Sequence, residues 1–418
     1  MFNLNPIWFR PTRLGMITTC SLLLLASCGQ THNAPVNPTV NSPISTTDKP
    51  TISPTVKPAV NPAINAAMST MVSQNEISGA VTLIANNSGV THLSAVGFAD
   101  LASKRAMQVD QIVWIASMTK PITAAAIMSL QDAGKLSVND PVTKYLPEFA
   151  NLATEDGTKH VVTLQHLLTH TSGLAESTNE ERAQAKQLAD LFPGFTTLPL
   201  KFIPGSRWSY CQSGINSLGR IIEIVSGESY PSYLQKTFFA PLGMVDTTFY
   251  PDPAQQARLA TVYKKEGEEL LPAKLPTDYD PTNIGHYPAP NGGLFSTASD
   301  YAQFCRMLLN NGSLDGRTYL SPAAVKQMST LTTGDIKTGF TPGNGWGLGV
   351  CVVREPQGVS ECLSPGSYGH GGAYGTQAWI DPNNHLIYIL FVQRQNFANS
   401  DNSDVRKAFQ AAAQTKNN

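Results

Sequence analysis

The sequence has no block of lysine or arginine and no excess of either charge: 29 basic side chains stand against 30 acidic ones. Nothing in it therefore recruits a nucleic acid, whose backbone is bound through clustered cations. No apolar run is long enough to cross a bilayer comfortably, which argues against a retained transmembrane helix. Cysteine is sparse, six residues in all, and none has the spacing of a zinc site. There is no collagen-like repeat and no acidic bias. What remains is the composition of a folded globular protein, long enough for more than one hydrophobic core.

What is there begins with a targeting segment. Arg10 and Arg13 precede an apolar stretch ending in "SLLLLASCGQ", the order of an export signal. Leu25-Ala26-Ser27-Cys28 is similar to the lipobox of bacterial lipoproteins, in which cleavage leaves the cysteine as a lipidated N-terminus; a plain secretory signal is the alternative. Residues 1–27 are thus expected to be removed and Cys28 to carry lipid, leaving the protein in the cell envelope, anchored to a bacterial membrane. Residues 28–62, rich in Pro, Thr, Ser and Asn, bury too little to fold and are expected to form an extended tether. The globular domain then runs over 63–418.

Export lets disulfides persist. With Cys20 in the signal and Cys28 at the anchor, Cys211, Cys305, Cys351 and Cys362 remain. Cys351 and Cys362 flank "VVREPQGVSE", a loop with Pro and Gly, and a bridge between them is expected. Four thiols packing as small hydrophobes are the alternative.

Within the body, "GAVTLIANNSGVTHLSAVGFAD" (Gly79 to Asp100) predicts two strands around a turn at Asn86–Gly89. A helix is expected from about Ser117 to Gly134. Ile215, Leu218, Ile222 and Val225 keep a helical period up to Gly227. Thr297 and Asp300 form a capping-box pattern ahead of Tyr301, Phe304 and Leu308. Strands are expected again at Gly349–Val353, Tyr374–Ile380 and His385–Val392, then a last helix at about Asp404–Gln414. Strands at both ends with helices between predict an α+β fold, one antiparallel sheet built from both termini with a mainly helical lobe.

The chemistry centres on "WIASMTKPIT", Trp114 to Thr123. Ser117 and Lys120 are three apart, so a helix brings them to one face. A serine hydroxyl needs an adjacent base to become a nucleophile, and a lysine serves if burial lowers its pKa. His166 and His170 have the i, i+4 spacing of a zinc helix, but leucine follows His166 where a zincin needs glutamate. They are read as structural, or as supporting the site from behind, and no metal is assigned.

One Ser-x-x-Lys is weak evidence; its company is not. "ASMTKPITAAAIMSLQDAGKLSVNDPVTKYLPEF", "TLQHLLTHTSGL", "PGSRWSY", "APLGMVDTTF" and "NGGLFSTASDYAQF" occur in this order. Together they resemble the serine β-lactamase and penicillin-binding superfamily, whose helix opens with Ser-x-x-Lys. The likeness is greatest to the branch of class C β-lactamases, D-aminopeptidase-like proteins and family VIII esterases, and it spans about residues 63 to 414. It implies a β-lactamase/transpeptidase-like fold, no cofactor, and a small ester or peptide-like substrate.

Carried over by position, the resemblance makes Ser117 the acylated nucleophile, Lys120 its base and Tyr210 the proton carrier to the leaving group. His370-Gly371-Gly372 stands where the family has Lys-Thr-Gly, as in its esterase and aminopeptidase members, so these residues and Gln212 are expected to face substrate. The backbone N–H groups of Ser117 and Ala373 would form the oxyanion hole. One departure matters: the family's Tyr-x-Asn is Tyr210-Cys211-Gln212 here. The longer amide arm displaces a contact that β-lactams and peptides use, and a carboxylesterase for short-chain esters becomes the expected activity. A β-lactamase or D-amino-acid peptidase on cell-wall peptides, and a non-catalytic binder that keeps the fold, are the alternatives. The stretches Ala175–Lys201 and Pro251–Tyr287 carry no readable signature.

Overall fold

The computed structural model describes residues 59–339, 341–397 and 403–414. The expected export signal, Cys28 and the expected tether up to residue 58 lie outside the described residues. Folded structure starts slightly before the expected boundary: Ala59 bridges to His92, and helix α1 (Pro62–Ser73) follows at once. Its sequence explains the start, since Asn61 Oδ1 accepts from the N–H of Ala63 and proline suits a first helical position.

Eight strands form the central sheet: β1 (Gly79–Asn86), β2 (Val90–Asp100), β3 (Arg105–Ala106), β4 (Asn344–Trp346), β5 (Cys351–Val353), β6 (Tyr368–Gly371), β7 (Gln377–Asp381) and β8 (Leu386–Phe391). They pair antiparallel in the order β4-β5-β6-β7-β8-β1-β2-β3. The two chain ends meet at β1 and β8, as the pattern predicts. The β1–β2 turn sits where expected, with Asn86 Oδ1 accepting from Ser88 and Gly89.

Alternation along β1 divides two cores. Val81, Leu83 and Ala85 face the larger one, with α2 (Thr119–Asp132), α3 (Gln212–Ser226) and α4 (Ala298–Leu309). Ala80 and Ile84 face a smaller one, closed by α1 and the last helix, α5 (Asp404–Gln414). Ile64, Met68, Val405 and Phe409 are buried there, each contributing roughly 1.5–3 kcal/mol.

Three expectations change in detail. The strand expected at Tyr374–Ile380 starts only at Gln377, as β7, because residues 372–376 form the turn from β6: Gly372 N–H donates to Thr376 O and Gly375 has φ +90°. The capping box is only half made. Thr297 Oγ1 accepts from Asp300 N–H, but the Asp300 carboxylate turns away to Asp246 N–H and Thr247 Oγ1, and burial raises its pKa to about 6. The expected Cys351–Cys362 disulfide is not formed. Cys351 pairs inside the sheet with Gly369, whereas Cys362 lies in the loop beyond the end of that hairpin, where its carbonyl accepts from Gln414 on α5.

Candidate active site

Ser117 lies in a turn that the surrounding chain over-determines. Ala116 has φ +48°, a left-handed conformation that costs an L-residue about 1–2 kcal/mol and recurs at active sites. A 3₁₀ turn, Ala116–Met118, then leads into α2. The expected helix therefore opens with a tighter turn. It is tied down on every side: Thr119 Oγ1 donates to Ala116 O, Tyr301 OH to Met118 O, and Ile115 N–H to Leu294 O. Ser117 stays half-buried while its neighbours are buried.

Lys120 is wholly buried. Its Nζ is 3.1 Å from Ser117 Oγ and donates to Asn291 O at 2.6 Å. Burial lowers its pKa to about 7, against the opposing pull of the Glu176 carboxylate. In its neutral form the amine can donate to Asn291 O and turn its lone pair to the serine, which is what a base must do.

The other two expected segments converge here. The Tyr210 ring lies under Lys120 Nζ, 4.6 Å from its centroid. Tyr210 OH is 3.4 Å from His370 Nε2, and His370 Nδ1 is 2.6 Å from Gly371 O. The carbonyl can only accept, so Nδ1 of His370 carries a proton. Gly372 presses on the serine turn: a Cβ there would stand 2.6 Å from Ile115 O. A cavity of about 280 Å³ is lined by Ser117, Ala373, Gln212, Glu176 and Tyr279 among others. His370, Gly371 and Gly372, expected to face substrate, are not on its wall. Ala373, in the turn at 372–376 that follows their strand, is.

The Beta-lactamase family model matches residues 64–413. The chain belongs to the beta-lactamase family. It is similar to Esterase EstB of Burkholderia gladioli, 28% identical over 337 residues that cover 74% of this chain and 84% of that protein. It is also similar to Penicillin-binding protein 4 of Amycolatopsis lactamdurans, 31% identical over 308 residues, 73% of this chain and 77% of that one. Among solved structures, EstCE1, a hydrolase with promiscuous acyltransferase activity, superposes with TM-score 0.73 over 84% of this chain and 98% of its own, at 24% identity. The protein is a serine hydrolase.

Around the beta-lactamase-family centre, the structure adds residues that the sequence does not single out. Glu176 accepts from the N–H groups of Gln212 and Ser213 and from Ser213 Oγ. It thereby caps α3 at its positive end, just after Tyr210. Asn291 supplies the carbonyl that anchors Lys120, and its Nδ2 donates to Gln212 Oε1 and Tyr279 OH. Arg406 on α5, buried, donates to the carbonyls of Gly372 and Thr376 and so holds the turn that presents Ala373.

His170 and His166 are both engaged inside the fold. His166 closes a capping box with Thr163. His170, buried at φ +58°, brackets the tyrosine: its carbonyl accepts from Ser209 N–H and its Nδ1 from Cys211 N–H. Its ring packs 4.4 Å from that of Tyr210. Burial, with the charges of Lys120 and His370, drives its pKa well below the usual histidine range, so it stays neutral. Among the described residues no group of three His, Cys, Asp or Glu could hold a metal.

Proposed function

We propose that this protein is an exported carboxylesterase, lipid-anchored to a bacterial membrane through Cys28, that cleaves short-chain esters by way of a Ser117 acyl-enzyme. The observation that carries the reading is the fully buried Lys120 amine, 3.1 Å from a half-exposed serine hydroxyl. Neutral Lys120 takes the hydroxyl proton as Ser117 Oγ bonds to the ester carbonyl carbon. Tyr210, whose ring lies under the Lys120 amine, gives its phenolic proton to the departing alkoxide, which leaves as alcohol, and the proton that Lys120 took from the serine restores the phenol. Water then adds to the acyl-enzyme, giving up a proton by the reverse route, and the acid departs with Ser117 restored. The Ser117 and Ala373 N–H groups face the oxyanion, where one donor contributes about 3–4 kcal/mol to the transition state.

Esters are favoured over β-lactams because Gln212 stands in place of the family's asparagine, and its Oε1 is already engaged by Asn291. Penicillin-binding relatives support a second reading, a D-amino-acid peptidase. Rates on p-nitrophenyl esters, nitrocefin and D-alanyl peptides, measured side by side, decide between them. Turnover of the esters with none of the others supports the esterase; stable labelling by a fluorescent penicillin with no ester turnover rejects it.

Two expected outcomes follow from these assignments. The base is active unprotonated, so kcat/KM should rise with pH through an apparent pKa of about 7 and then level off. A flat profile between about pH 6 and 8 removes Lys120 as the base. For the anchor, Cys28→Ser should move the protein from the membrane to the soluble exported fraction, because one acyl attachment site is lost. Unchanged membrane retention rejects lipidation at Cys28.

A further inference from the structure

The short helix Leu164–Leu168 closes with a paired set of backbone bonds: His170 N–H donates to Leu167 O and Thr171 N–H to His166 O. That closure puts the residue after the cap in the left-handed region, where glycine is the usual choice. Here the residue is His170, fully buried at φ +58°. An L-residue gives up about 1–2 kcal/mol in that conformation. Strain of this kind at a buried non-glycine residue points to function when the side chain does something that glycine could not.

The His170 side chain does two such things, and both concern Tyr210. Its Nδ1 accepts from Cys211 N–H at 3.1 Å, and its ring lies against the tyrosine ring, with centroids 4.4 Å apart. Its carbonyl meanwhile accepts from Ser209 N–H at 2.9 Å. The residue before Tyr210 and the residue after it are thus both tied to His170. A glycine would keep the carbonyl bond and lose the other two contacts. We infer that His170 is a positioning residue for proton transfer by Tyr210, holding the phenol where it can reach the departing alkoxide. The inference rests on the role given to Tyr210 above.

The test is a ratio of two substrates. An ethoxide must be protonated to leave, whereas p-nitrophenolate leaves as the anion, so only the first needs the tyrosine's proton. Tyr210→Phe should therefore lower kcat/KM for ethyl acetate about 10²-fold or more beyond its effect on p-nitrophenyl acetate, the contribution of a general acid. His170→Leu, which fills the space without an acceptor, should show the same selective loss, at least about tenfold. His170→Asn should bring the ratio back to within about threefold of native, because asparagine tolerates the left-handed region and its Oδ1 can accept from Cys211 N–H. Unfolded protein lowers both rates alike and leaves the ratio unchanged. Where His170→Leu gives no folded protein, His170→Gln, whose amide sits one bond farther out, is read in the same way. A native ratio in His170→Leu beside a shifted one in Tyr210→Phe overturns the inference, as does a His170→Asn protein no better than His170→Leu. A ratio unmoved by Tyr210→Phe rejects the tyrosine's own role, and the inference with it. If no ester is turned over, the esterase reading has failed and crystal structures of the variants decide. Tyr210 displaced in His170→Leu and restored in His170→Asn supports the inference; Tyr210 unmoved in His170→Leu rejects it.

Discussion

A Ser117→Ala protein is expected to hydrolyse p-nitrophenyl acetate about 10⁴-fold or more slowly than the native enzyme, and Lys120→Ala about 10³-fold or more slowly. The first change removes the atom that would carry the acyl group; the second removes the only amine placed against that atom among the described residues. Because the two act as one unit, the double variant should be no slower than Ser117→Ala alone. Residual turnover would come from the oxyanion donors and from binding. Folding is a separate matter and is readily checked. Ser117 is half-exposed, so truncation to alanine leaves no sealed cavity and should shift stability by about 0.5 kcal/mol or less. A Ser117→Ala protein that melts normally and retains the parent rate would eliminate the acyl-enzyme. Losses that simply multiply in the double variant would show that Lys120 works through some other group.

The residues of the candidate site were legible in the sequence because motif order reports chemistry that one chain must gather in space. Ser117, Lys120, Tyr210 and Ala373 come from three segments, and the structure brings all three together. The sheet built from both ends was legible too, since alternation in Gly79–Asp100 and the apolar run at 386–391 are local signals. What was not legible depends on tertiary partners. Glu176 matters because it meets the α3 N-terminus, and nothing in "LAEST" announces that. Asn291 acts through a backbone carbonyl, which any residue possesses. The ring of His370 meets Tyr210, and the turn at 372–376, invisible to periodicity, brings Ala373 to the cavity. The disulfide was inferred from a loop between two cysteines, but loop composition does not fix which way the paired strand carries Cys351.

Replacing Lys120 by methionine, near to it in size, is expected to make the protein more stable at neutral pH while abolishing catalysis. Burial depresses the folded-state pKa from 10.5 to about 7, the reverse of the shift a salt-bridged lysine shows. The sign follows by linkage. Above pH 10.5 the amine is neutral folded or unfolded and its titration costs nothing; as pH falls toward 7 only the unfolded chain gains the proton, and the cost to folding grows; below 7 it is constant. The span between the two values corresponds to at most about 5 kcal/mol. Methionine escapes that cost but leaves Asn291 O without its donor, a loss of about 1–3 kcal/mol. The net gain should be about 2–4 kcal/mol below pH 7, seen as a melting temperature several degrees higher. It should shrink as pH rises and reverse near pH 10, where only the lost hydrogen bond remains. A difference in melting temperature that ignores pH would mean that the folded protein keeps an ordinary lysine at this position. A difference that follows this course identifies a base kept neutral at a cost to the fold, the compromise between stability and activity that a working site demands.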